Sequence, residues 1–179
     1  IHFNVAVFTN LSHDHLDFHK NMASYAAAKR RLFSFDGIDA AVINADDEFG
    51  ERLAKELRAH SKVFTYSVNS TQADVFTQNT CYSLNSISSD VVSPWGHATI
   101  TIPLIGEFNL SNALAALTAM LATGEDFNTL IAAFSEVTAV KGRMEIVSDS
   151  SSQSADDKTV VVDYAHTPQA LELALAALR

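Results

Sequence analysis

Ala40-Ala41-Val42-Ile43-Asn44, then Asp46 to Arg58, then Lys62 to Tyr66, is the stretch on which the fold turns. The first segment is an apolar run of strand length ending on a polar residue, which reads as a buried strand. Asp46 to Arg58 mixes charged and apolar residues over the length of a helix, and Lys62 to Tyr66 reads as a second strand. Strand, helix and strand at this spacing predict a βαβ unit, which joins parallel strands through a helix lying on the sheet. Upstream, Val5 to Thr9 (VAVFT) reads as a further buried strand. Met22 to Phe35 (MASYAAAKRRLFSF) has the Ala, Leu and Arg content of a helix that stops near Gly37. The expected class is α/β, with a mainly parallel sheet flanked by helices.

Downstream the pattern changes. Ala73 to Ile105 is rich in Thr, Ser and Val, lacks a helical period and carries a turn signal at Ser93-Pro94-Trp95-Gly96, so a smaller antiparallel section is expected beside the parallel strands. Helices are expected over Asn109 to Ala122 and Asn128 to Val137, and strands over Glu145 to Val147 and Thr159 to Asp163. Ser148 to Asp157 (SDSSSQSADD) has too little apolar content to pack and is expected to be mobile. Pro168 suits the first turn of a last helix running to Arg179.

Composition narrows the function classes. Hydrophobic residues make up 47% of the 179 residues and charged residues 18%, and a chain of this size buries roughly 70% of its unfolded surface. With 12 Lys and Arg against 21 Asp and Glu, the net charge is -9, a poor match to nucleic acid or to an anionic membrane surface. No apolar run approaches the ~20 residues of a membrane-spanning helix. Cys81 is the one cysteine, which excludes an internal disulfide and favours a reducing, cytoplasmic setting.

Four segments could carry chemistry. Ser12-His13-Asp14-His15-Leu16-Asp17-Phe18-His19 concentrates imidazole and carboxylate groups that can converge on a divalent ion. The alternative is a solvated loop in which Ser12 or Asp14 caps the next helix. A dinuclear-hydrolase pattern of the HxHxDH kind fits His13, His15 and Asp17 but fails by one position at Phe18. Lys29 follows Tyr25-Ala26-Ala27-Ala28 and is either an exposed cation near a helix C-terminus or a metal-facing group. In the second role its ammonium must be suppressed, for example by conversion to a carbamate, an oxygen ligand suited to Mg²⁺.

Gly106-Glu107-Phe108-Asn109-Leu110-Ser111-Asn112 opens a strongly apolar helix, with Asn109 suited to its N-cap. Alternatively the glycine lets a flat ligand approach while the Asn amides read its polar edge. Lys141-Gly142-Arg143-Met144 and Val160 to Pro168 form the last segment. Asp163, at the end of an expected buried parallel strand, could accept from a ribose, and Arg143 could present a planar fork to phosphate. Asp163 and Thr167 could instead cap the last helix.

In this order the four segments resemble the Mur ligase family, in its tripeptide-synthetase branch. The match is carried by Thr9 to Ser12, Asp14 to His19, Tyr25 to Lys29, Val42 to Asp47, Gly106 to Asn112, Gly142 to Glu145 and Asp163 to Pro168. The resemblance implies ATP-dependent amide-bond formation. The terminal carboxylate of a UDP-linked muramyl dipeptide is phosphorylated, and the amine of a free amino acid, diaminopimelate or lysine, attacks the acyl phosphate and releases phosphate. It implies ATP and Mg²⁺ as cofactors. His15 corresponds to the family's metal-ligating histidine and Lys29 to its carbamylated lysine, and both enter the chemistry. Asn109 and Asn112 correspond to the turn near the adenine, Arg143 to the arginine near the phosphates, and Asp163 to the ribose-binding acid. Two alternatives are a folylpolyglutamate-synthase-like ligase and a non-catalytic, histidine-rich metal-binding module.

The sequence contains no GxxxxGK[ST] phosphate loop. The chain also opens on Ile1 and ends within a predicted helix. The resemblance therefore implies that residues 1–162 are the later part of a central ATP-binding domain and residues 163–179 a linker and the start of a C-terminal domain. Such a portion is expected to be inactive alone.

Overall fold

The computed structural model describes residues 3–12, 16–147 and 159–178. His13, Asp14 and His15, and the segment Ser148 to Asp157, lie outside the described residues. Six strands form one sheet in chain order: β1 (Val5–Phe8), β2 (Ala40–Asn44), β3 (Val63–Ser67), β4 (Val75–Tyr82), β5 (Ile87–Ser93) and β6 (Gly96–Ile102). Strands β1 to β4 pair parallel, and β4 to β6 continue as an antiparallel meander. The expected mainly parallel α/β sheet with an antiparallel section is therefore present.

All five residues of β2 are buried, and its side chains alternate between two cores. Val42 faces one core, which holds Tyr66, Val75, Ile87 and Ile100 together with α4 (Glu107–Ala122) and α5 (Phe127–Ala133). Ala41 and Ile43 face the other with Phe8, Leu53 and Ala54, the last two from α3 (Glu48–Leu57). Upstream lie the short α1 (Leu16–His19) and α2 (Met22–Arg30), the latter continuing into a 3-10 turn over Arg31–Ser34. Strand β1 is only partly the buried strand expected, because Val7 is exposed.

Pairing of β3 with β4 is limited to Tyr66 with Val75 and Ser67 with Phe76. Strand β4 thus begins where β3 ends and runs on past the carboxyl edge of the parallel strands. The turn between β5 and β6 falls at the expected place, where the Ser93 Oγ accepts from the backbone N–H of Trp95 and of Gly96, each at 3.2 Å.

The last strands depart from expectation. β7 (Glu145–Val147) and β8 (Val160–Val162) form a separate antiparallel ribbon, and Val160 and Val162 are exposed. The Val160 to Val162 run is apolar enough for an interior strand, but among the described residues it pairs only with β7. The ribbon and α6 (Pro168–Ala176) dock through a small third core of Ile105, Met144 and Ala174. Thr167 caps α6, its Oγ1 accepting from Ala170 N at 3.2 Å, and Pro168 occupies the first turn as expected.

Two predictions follow from this packing. A Cβ built on Gly50, in the first turn of α3, would stand 2.1 Å from the Asn44 carbonyl oxygen. Gly50→Ala is expected to destabilise by about 2 kcal/mol despite the better helix propensity of Ala, and equal midpoints in chemical denaturation would refute the close approach. Tyr66 is 0% exposed, and its hydroxyl lies beside Ser111 without hydrogen-bond geometry to any described partner. Burial, reinforced by Asp46 and Asp47, pushes its phenol above the ordinary value of 10.0. A phenol raised in the folded state stabilises below pH 10.0 and loses that contribution as pH rises through the folded value. Tyr66→Phe is expected to match or exceed wild-type stability at neutral pH and to lose less above pH 10.0, measured by denaturation across that range.

Candidate functional site at the carboxyl edge of the sheet

The turn between β2 and α3 ties three strand ends together. Asn44 Nδ2 donates to the Thr9 carbonyl at the end of β1 (2.8 Å), and Asn44 Oδ1 accepts from Asp46 N (2.9 Å). The Asp46 carboxylate accepts from Ser67 Oγ at the end of β3 and from Val68 N at 2.8 Å. Asp47 accepts from Leu11 N (2.8 Å) and caps α3 through Gly50 N (3.0 Å). Hydrogen bonds to a charged group are worth about 1.5–3 kcal/mol each, so these carboxylates hold the loops after β1 and β3 firmly.

Above this edge lies a cleft of about 1210 Å³, walled by the turn, the start of α4, Arg143 and Asp163 at the ends of the β7–β8 ribbon, and α6. It gathers Asn109, Asn112, Arg143 and Asp163, candidates drawn from the last two of the four segments read in the sequence. Asn109 does not cap α4. The helix starts at Glu107 after Gly106, whose φ of +90° suits glycine, and Asn109 Nδ2 reaches back to the Ile105 carbonyl at 2.8 Å. That bond leaves its Oδ1 available. Asn112 is exposed on the same wall.

Asp163 does not end a buried parallel strand. It follows the antiparallel ribbon, and its carboxylate accepts from Met144 N (2.9 Å) and Ala165 N (2.7 Å). The first bond steadies Met144, whose φ is +46°. It does not cap α6, which Thr167 does. An ionised carboxylate has about four lone-pair sites, so Asp163 retains capacity toward the cleft. The Arg143 guanidinium lies 5.0 Å from the Tyr164 ring centroid and has no carboxylate partner among the described residues. His166 Nδ1 is 3.0 Å from the Tyr164 carbonyl oxygen.

Lys29 is half-buried on the last turn of α2 and does not itself line the cleft. Its Nζ donates to the carbonyl of Asn10, a cleft residue, at 2.8 Å. His15 lies outside the described residues. His19 stacks on Tyr25 at 4.8 Å, and among the described residues no group of three or more His, Cys, Asp or Glu could hold a metal ion.

Two features of the cleft were given no role by the sequence. The Asn44 to Asp47 turn entered only as part of the Val42 to Asp47 match, although Asp47 ahead of Glu48 and Gly50 has the form of an N-cap. Tyr82, on the β4 overhang, also lines the cleft, and burial together with the Glu107 carboxylate pushes its phenol up to about 12. No local signal marks a residue brought in by strand stagger.

Comparison with known proteins agrees with this architecture. A family model described as the Mur ligase middle domain matches residues 1–120. The UDP-N-acetylmuramoyl-L-alanyl-D-glutamate--2,6-diaminopimelate ligase of Gloeobacter violaceus is 47% identical over 178 residues, covering 99% of this chain and 35% of the relative. A solved structure of a ligase with that name superposes with a TM-score of 0.81 at 38% identity, over 98% of this chain and 35% of the other. The folylpolyglutamate synthase of Mycobacterium tuberculosis, solved with ADP, superposes with a TM-score of 0.74 at 25% identity, over 98% of this chain and 38% of the other. The chain thus spans about a third of the length of the relatives it matches. With its family model covering most of the residues that build the sheet and the turn at its carboxyl edge, the chain belongs to the Mur ligase middle domain family.

Proposed function

We propose that these residues form the nucleotide-facing part of an ATP-dependent acid–amino-acid ligase that joins 2,6-diaminopimelate to UDP-N-acetylmuramoyl-L-alanyl-D-glutamate in peptidoglycan synthesis in the cytoplasm. The supporting observation is that Asn109, Asn112, Arg143 and Asp163 all line one cleft at the carboxyl edge of an α/β sheet, where such sheets bind ligands. Diaminopimelate is preferred over lysine because the relatives described above carry it in their names. Residues 1–162 act as the later part of the central ATP-binding domain, and residues 163–179 as the linker and start of the next. No phosphate-binding GxxxxGK[ST] is present in the sequence, so that function falls to residues elsewhere in the ligase.

The residues fit a nucleotide. Asn109 and Asn112 present amide groups to a base edge, and the spare lone pairs of Asp163 can accept from ribose hydroxyls. Arg143 offers a planar cationic fork to phosphate. Its position over Tyr164 restrains the guanidinium before any anion arrives. For Mg²⁺ the candidate ligands are His15 and Lys29. A neutral Lys29 amine reacting with carbon dioxide gives a carbamate and one proton, and the carbamate supplies oxygen donors while its nitrogen keeps one N–H for the Asn10 carbonyl. Bound there, Mg²⁺ would screen the repulsion between an anionic carboxylate and the γ-phosphate.

The test is phosphate release by the full-length protein with ATP, UDP-muramyl dipeptide and an added amino acid. Release is expected with diaminopimelate, and not with lysine or when folate replaces the muramyl substrate. Arg143→Gln is expected to raise KM for ATP about tenfold. Lys29→Ala is expected to lower kcat by about 100-fold, without rescue by bicarbonate. Folate-dependent release, or release indifferent to both substitutions, would sink the proposal. Tight Zn²⁺ binding by calorimetry, lost on changing His13 and His19 but not Lys29, would replace it with a metal-binding module.

A further inference from the structure

A lysine on the last turn of a surface helix ordinarily extends its ammonium into water. Lys29 instead lies against the protein, with Nζ 2.8 Å from the Asn10 carbonyl oxygen, 4.9 Å from the Tyr25 ring centroid and 5.9 Å from that of Phe8. Tyr25 precedes Lys29 by four residues, so the two side chains share one face of α2. The His19 ring stacks on Tyr25 at 4.8 Å with 19° between planes, and Phe18 meets His19 edge-on at 4.9 Å.

The two contacts restrain different motions. A hydrogen bond to Asn10 sets the reach of Nζ but leaves the side chain free to swing about that bond. An aromatic face within about 6 Å attracts a cation or N–H electrostatically, and it blocks one side of the swing. The Asn10 carbonyl is itself fixed, because Thr9 O is held by Asn44 and Leu11 N by Asp47.

We infer that Tyr25 is a positioning residue, whose ring, stacked with His19, holds the Lys29 Nζ against the Asn10 carbonyl beside the nucleotide cleft. The inference rests on the role proposed above for Lys29. It holds for amine and carbamate alike, since both keep an N–H for Asn10.

The experiment compares Tyr25→Phe, Tyr25→Leu and Tyr25→Met in the full-length protein, with Lys29→Ala as control and folding checked by circular dichroism and Tm. Tyr25→Phe retains the ring and is expected to keep at least about half of wild-type kcat, whereas Leu and Met are expected to lower kcat about tenfold with KM for ATP within about twofold. A purely structural role would lower Tm without this split and without rescue by Phe. If the Leu variant fails to fold, the Met variant decides. Leu and Met variants within about twofold of wild type, beside an inactive Lys29→Ala, overturn the inference, as does a Phe variant as impaired as Leu. Undiminished turnover by Lys29→Ala removes the proposed role of Lys29, and the control separates that failure from failure of the Tyr25 inference alone.

Discussion

Parallel strands that end together leave backbone N–H and C=O groups at one edge, and each needs a partner away from water. Here the side chains of Asn44, Asp46 and Asp47 supply those partners from a single turn. The loop after β1, the loop after β3 and the first turn of α3 all take their positions from it. Gly50 is part of the same constraint, since only a missing side chain lets α3 start so close to the end of β2. The floor of the cleft is therefore a hydrogen-bonded junction rather than an apolar surface.

The elements legible in the sequence were those whose environment is local. The β2 run reads as buried because both of its faces are covered, and the Asp46 to Arg58 helix was placed to within two residues at its start, at Glu48. The turn at Ser93 to Gly96 announces itself through Ser, Pro and Gly, and the hairpin forms there. Errors came where tertiary pairing decides. Val160 to Val162 has the composition of an interior strand, yet among the described residues it pairs only with β7. Asn109 has the chemistry of a cap, yet Gly106 and the back-reaching amide move the helix start to Glu107.

The candidate site was legible as a set of residues and illegible as an arrangement. Asn109, Asn112, Arg143 and Asp163 could be named from their segments, and they share the cleft. The structural tie of Asp163 to Met144 could not be read from sequence, because it depends on the ribbon bringing positions 144 and 163 together. Lys29 differs again. Helix periodicity places it beside Tyr25, but its bond to Asn10 depends on α2 lying near the end of β1. Both residues, Asp163 and Lys29, hold backbone of a neighbouring segment, so substituting either disturbs the scaffold around the cleft.

The two walls of the cleft are anchored very differently. Asn109 and Asn112 ride on α4, which sinks six apolar side chains into the sheet core. Arg143 and Asp163 ride on the ribbon side, whose core among the described residues has Ile105, Met144 and Ala174 as its buried members. At roughly 1.5–3 kcal/mol for a large buried side chain, the second attachment is worth a small fraction of the first. One wall is thus stiff and the other compliant. A molecule spanning both would leave the sheet almost unchanged and damp the motion of the ribbon, so occupancy would register as a one-sided loss of elasticity.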